Sequence, residues 1–103
     1  MIKVYYWKDI KWLNKLGKEG AAIPTREQFE TDYVEVANLG GMAYITDPER
    51  IWQMLNLEPE KYFRKDAYKE GVNHTSMSVG DIVMIDKKYY IALSIGFVVL
   101  HWE

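Results

Sequence analysis

The chain opens on Ile2-Lys3-Val4-Tyr5-Tyr6-Trp7, an alternating run of residues that favour extended backbone, and this predicts a first strand. The apolar spacing then changes. Ile10, Leu13 and Leu16, with Trp12 at their edge, recur at helical intervals between Asp9, a capping residue, and Gly17, a stop signal, so a short helix is expected there. After a connection through Gly20–Pro24, Thr25 and Gln28 stand at capping-box spacing and predict a brief helical turn. It must end before Tyr33-Val34-Glu35-Val36-Ala37, where period two returns with β-branched residues and marks a second strand.

Gly40-Gly41 interrupts the pattern, and Met42–Ile45 reads as a short extended piece. Asp47-Pro48-Glu49 is the sharpest local signal: Asp47 caps, Pro48 fits the first helical position, and Glu49 complements the positive end of the helix. The helix is expected to run to Leu57, with Ile51, Met54 and Leu55 on its core face and Trp52 at the margin. Pro59 starts either a further helix to Glu70, stopped by Gly71, or an ordered loop. The last third alternates strand and turn: Asp81–Ile85, a turn at Asp86-Lys87-Lys88, Tyr89–Leu93, a break at Ser94-Ile95-Gly96, and Phe97–Trp102. These elements predict one small α+β domain over residues 1–103, a bent antiparallel sheet with a C-terminal three-stranded β-meander packed against one or two helices.

Composition narrows the classes. With 49% hydrophobic and 15% aromatic residues the chain has ample material for a core, and with zero cysteines that core must hold without disulfides or thiolate-bound metals. No apolar run approaches the ~20 residues of a membrane span, and no secretory signal precedes the first strand, so a cytoplasmic protein is expected. Charge is uneven: residues 1–20 carry a net +3 on Lys3, Lys8, Lys11, Lys15 and Lys18, residues 21–60 a net -6, and the remainder +1. A basic surplus confined to five lysines is small for nucleic-acid binding, which draws its affinity from many neutralised phosphates, and a total of -2 is far too little for a DNA mimic.

The segment His74-Thr75-Ser76-Met77-Ser78-Val79-Gly80-Asp81-Ile82-Val83, followed by Tyr89-Tyr90 and Gly96-Phe97, resembles the C-terminal part of YodL-like domains and related small proteins of phages and other mobile elements. The strand at residues 32–37 and the helix ending near Leu55-Asn56 fit the same layout, while residues 8–31 have no counterpart in it. The resemblance implies a mobile-element origin, viral first of all, and hence a host cytoplasm as the site of action; it implies no reaction. On physical grounds the same segment reads as a structural signature: Ser78 caps a turn, Gly80 allows a positive φ, and Asp81 accepts backbone hydrogen bonds at the strand start.

The residue chemistry argues against an enzyme. His74 and His101 are the only histidines, and neither stands in a metal-binding spacing; His74-Thr75-Ser76 lacks the glycine-flanked elbow of a nucleophilic serine and reads as a hydrogen-bonded loop histidine. Gly40-Gly41 lacks the third glycine and the following Lys-Ser/Thr of a phosphate loop, and no cofactor is implied.

What this leaves is the aromatic surplus, 4 Trp, 8 Tyr and 3 Phe, in residue types that anchor protein interfaces. Tyr6, Trp12, Tyr62 and Tyr68 are the candidate protein-binding residues, Trp12 because it lies among lysines on a helix whose core face is already supplied. The expected function is a non-enzymatic accessory protein of a phage or mobile element that binds a protein, either a host factor or defence component or a second copy in a homodimer. The alternative is a small nucleic-acid-associated protein using the N-terminal lysines and stacking aromatics.

Overall fold

A computed structural model describes residues 1–8, 24–40, 45–72, 74–93 and 96–102. The expected helix behind Asp9, with Trp12, lies outside these residues, as does most of the Met42–Ile45 piece. Strand β1 spans Ile2–Trp7, helix α1 Arg26–Asp32, β2 Tyr33–Asn38, α2 Pro48–Leu57 and α3 Pro59–Tyr62; a 3-10 helix covers Lys65–Glu70, and β3 Ile82–Ile85, β4 Lys88–Ala92 and β5 Phe97–Leu100 complete the order. All pairings are antiparallel and the sheet runs β2-β1-β3-β4-β5. The α+β domain and its C-terminal meander are as the sequence predicts.

Local chemistry accounts for the element starts. Thr25 Oγ1 accepts from the Gln28 N–H at 3.1 Å and Gln28 Oε1 accepts from the Thr25 N–H at 2.8 Å, a complete capping box. The turn expected there extends into a 7-residue helix that passes into β2 without a loop. Asp47 Oδ1 accepts from the Glu49 N–H at 3.0 Å and α2 begins at Pro48. The β3–β4 turn is tighter than expected: Asp86 (φ 48) and Lys87 (φ 73) are both left-handed, as a two-residue type I′ turn requires, and Lys88 belongs to β4.

The segment after Pro59 is neither the continuous helix nor the plain loop expected. One turn, α3, closes with Phe63 N–H donating to Pro59 O at 2.8 Å; the next N–H, on Arg64, leaves the helix to donate to Val36 O at 2.7 Å. The 3-10 helix then forms and ends on Gly71, left-handed at φ 102. The break serves the sheet edge. Val4 pairs with Ala37 but Tyr5 with Glu35, so Val36 is the extra residue of a β-bulge, and both Val36 and Ala37 are buried. The Arg64 guanidinium donates twice to Glu35 O, at 2.8 and 3.2 Å, so the backbone of the β2 edge is capped where the bulge exposes it.

Both sheet faces are apolar. Ile2, Val4, Tyr6, Val34, Val83 and Ile85 meet Ile51 and Leu55 of α2 with Phe63 and Ala67 beyond it. On the other face Ile82, Ile91, Tyr33 and Leu100 pack under Phe29 of α1, with Tyr5, Tyr89 and Trp102 around that ring. Both faces reach the candidate site, at the end of β1 where the chain enters β3: Tyr6 from the first, Trp7 and Tyr33 from the second.

Candidate functional site

The loop from His74 to Asp81 is built around one carboxylate. Asp81 is fully buried; its Oδ1 accepts from the Trp7 N–H at 3.1 Å, and its Oδ2 accepts from the Ser78 N–H at 2.8 Å and the Ser78 hydroxyl at 3.3 Å. His74 Nε2 stands 3.0 Å from Oδ2 and 3.3 Å from Oδ1. Gly80, at φ 95, sets the sharp entry into β3, its N–H donating to Ala92 O at 2.8 Å. Burial pushes the Asp81 carboxyl up, and its contacts with His74 and the Ser78 and Trp7 N–H groups pull the other way.

Three loop carbonyls are closed by aromatic side chains from β1 and β2. The Tyr6 hydroxyl donates to Thr75 O at 2.9 Å, Trp7 Nε1 to Val79 O at 3.1 Å, and the Tyr33 hydroxyl to Gly80 O at 2.6 Å. Buried tyrosine and tryptophan need partners for their polar tips, and a loop needs partners for its carbonyls, so each settles the other. Burial, and next the Asp81 charge, holds the Tyr6 and Tyr33 phenols far above their ordinary value. Tyr5, which packs on the Phe29 ring, is pushed up to about 12 by burial and then by Tyr89.

This arrangement corrects one expectation: Tyr6 is not an interface residue. It is fully buried, its ring stacked on His74 at 4.7 Å and 6°. Tyr62 is half-buried against the first-face core, with Lys61 Nζ 5.4 Å from its ring centre, beside a cavity of about 200 Å³ that it shares with Met54 and Leu57. Tyr68 is 51% exposed and packs edge-on against Phe63 at 5.4 Å. Trp12 lies outside the described residues.

Phe63 and Tyr68, with Pro59, Glu60, Lys65 and Thr75, line an open groove of about 370 Å³, largely apolar. Its floor continues inward, from Tyr68 to Phe63, from Phe63 to Tyr6 at 5.7 Å and from Tyr6 to the His74–Asp81 pair. Sequence reasoning singles out Tyr68 but not Phe63 or Thr75; the Pro59 helix start is the available signal, since it places residue 63 one turn on.

The geometry is not that of a nucleophilic triad. There a base bridges acid and nucleophile, whereas here the Ser78 hydroxyl and His74 both turn to the same acid. Among the described residues no three potential metal ligands cluster, and no helix is long and apolar enough to cross a membrane. Compared with protein-family models, curated proteins and solved structures, the chain finds no match.

Proposed function

We propose that this chain is a non-enzymatic accessory protein of a phage or other mobile element that acts in the host cytoplasm by binding another protein, a host factor or defence component, with the Tyr68 groove as its contact. The observation that carries the reading is Tyr68 itself: a large aromatic residue, 51% exposed, standing at an apolar groove with its ring fixed by Phe63. Interface anchors have this character, a rigid aromatic body with few rotamers to lose and a polar tip to satisfy. The Asp81 carboxylate supports the same reading from the other side, since its oxygens are spent on holding the loop from which Thr75 joins the lining of the groove. The mobile-element origin rests on the resemblance of residues 74–97 to YodL-like domains.

The nucleic-acid alternative is weaker on contacts. Of its five lysines, Lys3 pairs with Glu35 at 3.3 Å and Lys8 Nζ donates to Thr31 O at 3.1 Å, while the other three lie outside the described residues.

The test is affinity capture of a defined partner from host cells with wild type and Tyr68→Ala, alongside thermal melts of both. One protein species held by wild type and lost with Tyr68→Ala at an unchanged melting temperature is expected. Capture indifferent to Tyr68, or submicromolar binding to DNA that persists at ~150 mM salt, where screening reduces contacts made only by charge, would overturn the reading.

A further inference from the structure

The two edges of the sheet are treated differently. β2 carries Glu35 and Asn38, a bulge and the Arg64 cap. β5, at the other edge, is Phe97-Val98-Val99-Leu100, with no charge, proline or bulge. Its composition is that of β3, Ile82-Val83-Met84-Ile85, which has a strand on each side. Among the described residues nothing pairs with the outer side of β5.

The direction of its backbone groups follows from its neighbour. Ala92 donates to Asp81 O at 2.9 Å and accepts from the Gly80 N–H at 2.8 Å, so its backbone faces β3. Phe97 lies opposite Ala92 and therefore turns its own N–H and C=O away from β4; two residues on, Val99 does the same. Side chains are apolar on both faces of this edge: Phe97 packs edge-on against Trp52 at 6.1 Å, and Val98, on the opposite face, is 44% exposed.

We propose that β5 is a self-association edge: two copies of the chain pair β5 with β5, antiparallel, about a two-fold axis at Val99, joining two sheets into one. Charge placement favours a second copy over a foreign strand. Glu49 lies at the Gly96 end of β5, its carboxylate 3.9 Å from where a side chain at Gly96 would begin. At the other end Tyr89 pairs with Leu100, so Lys88 and His101 fall side by side one step further. Antiparallel pairing on Val99 sets Phe97 of one copy opposite His101 of the other, which brings Glu49 of each copy toward Lys88 and His101 of its mate, twice.

Sedimentation of the full chain across concentrations tests this. Wild type is expected to dimerise. Val99→Pro, which removes an outward N–H without touching the β4 ladder, is expected to leave a folded monomer. His101→Glu, which sets like charges together, is expected to weaken the dimer about tenfold or more, and adding Glu49→Lys to it is expected to recover most of that loss. Should Val99→Pro fail to fold, the His101→Glu and double-variant pair decides alone. A monomer at every concentration up to about 100 µM, or a dimer indifferent to these substitutions, would overturn the proposal.

Discussion

Asp81 Oδ2 and His74 Nε2 stand 3.0 Å apart at the foot of β3, with the carboxylate fully buried and the histidine side chain 18% exposed. The pair does for this loop what a helix cap does for a helix: it collects the Ser78 and Trp7 N–H groups that no strand partner reaches. Removing the carboxylate in Asp81→Ala strands those donors together with His74, and a loss of about 3 kcal/mol or more is expected in denaturant unfolding. Asp81→Asn should recover little of it, because an amide presents a donor where either Trp7 or Ser78 already donates. If Asp81→Asn proved as stable as wild type, the carboxylate would not be what orders the loop.

Tyr6 and Tyr68 share an aromatic chain but have separate jobs. Tyr6→Phe keeps the ring and loses the bond to Thr75 O, for an expected cost of about 1–2 kcal/mol. Tyr68→Ala, at the exposed end, should shift stability by no more than about 0.5 kcal/mol. Equal losses from the two, measured by the same denaturation curves, would make Tyr68 a packing residue.

The sequence is most legible where the physics is local. The Thr25–Gln28 capping box, the Asp47-Pro48 start and the strands of the meander are each written within a few residues, and each is found. The role of the aromatic residues is hidden because it depends on pairs far apart in the chain: Tyr6 with Thr75, Trp7 with Val79 and Tyr33 with Gly80. A tyrosine in an alternating run reads as an amphipathic surface residue until the loop that its hydroxyl serves is known. The interrupted helix after Pro59 is hidden for the same reason, since Arg64 leaves it to reach Val36 O on a distant strand. That β1 sits between β2 and β3 has no local signature either.

Alkaline titration follows from the buried phenols. The Tyr5, Tyr6 and Tyr33 side chains are raised above the ordinary value of 10.0 in the fold. A raised folded value favours the neutral form, so their contribution to stability is fully present below pH 10 and is lost as pH climbs through the folded values, for Tyr5 between about 10 and about 12. Absorbance of tyrosinate should therefore rise in two stages, the second coinciding with loss of the far-ultraviolet dichroism of the fold. A single stage near pH 10 with the fold intact would contradict the burial of these rings.

Lys87 occupies a left-handed position, φ 73, that a glycine fills without strain in a type I′ turn. Lys87→Gly is expected to stabilise the protein by about 0.5–1 kcal/mol in thermal or urea unfolding, the relief of strain exceeding the added freedom of the unfolded chain. A destabilised variant would argue that the lysine makes a contact stronger than that strain.

The most direct test of the binding account is photo-cross-linking in host cells from position 68, with a benzophenone amino acid in place of Tyr68 and, as a control on the opposite sheet face, in place of Arg26. A discrete heteromeric adduct is expected from position 68 and none from position 26. Adducts of the same pattern and yield from both positions, or none from position 68 while the protein remains folded, would contradict the binding account.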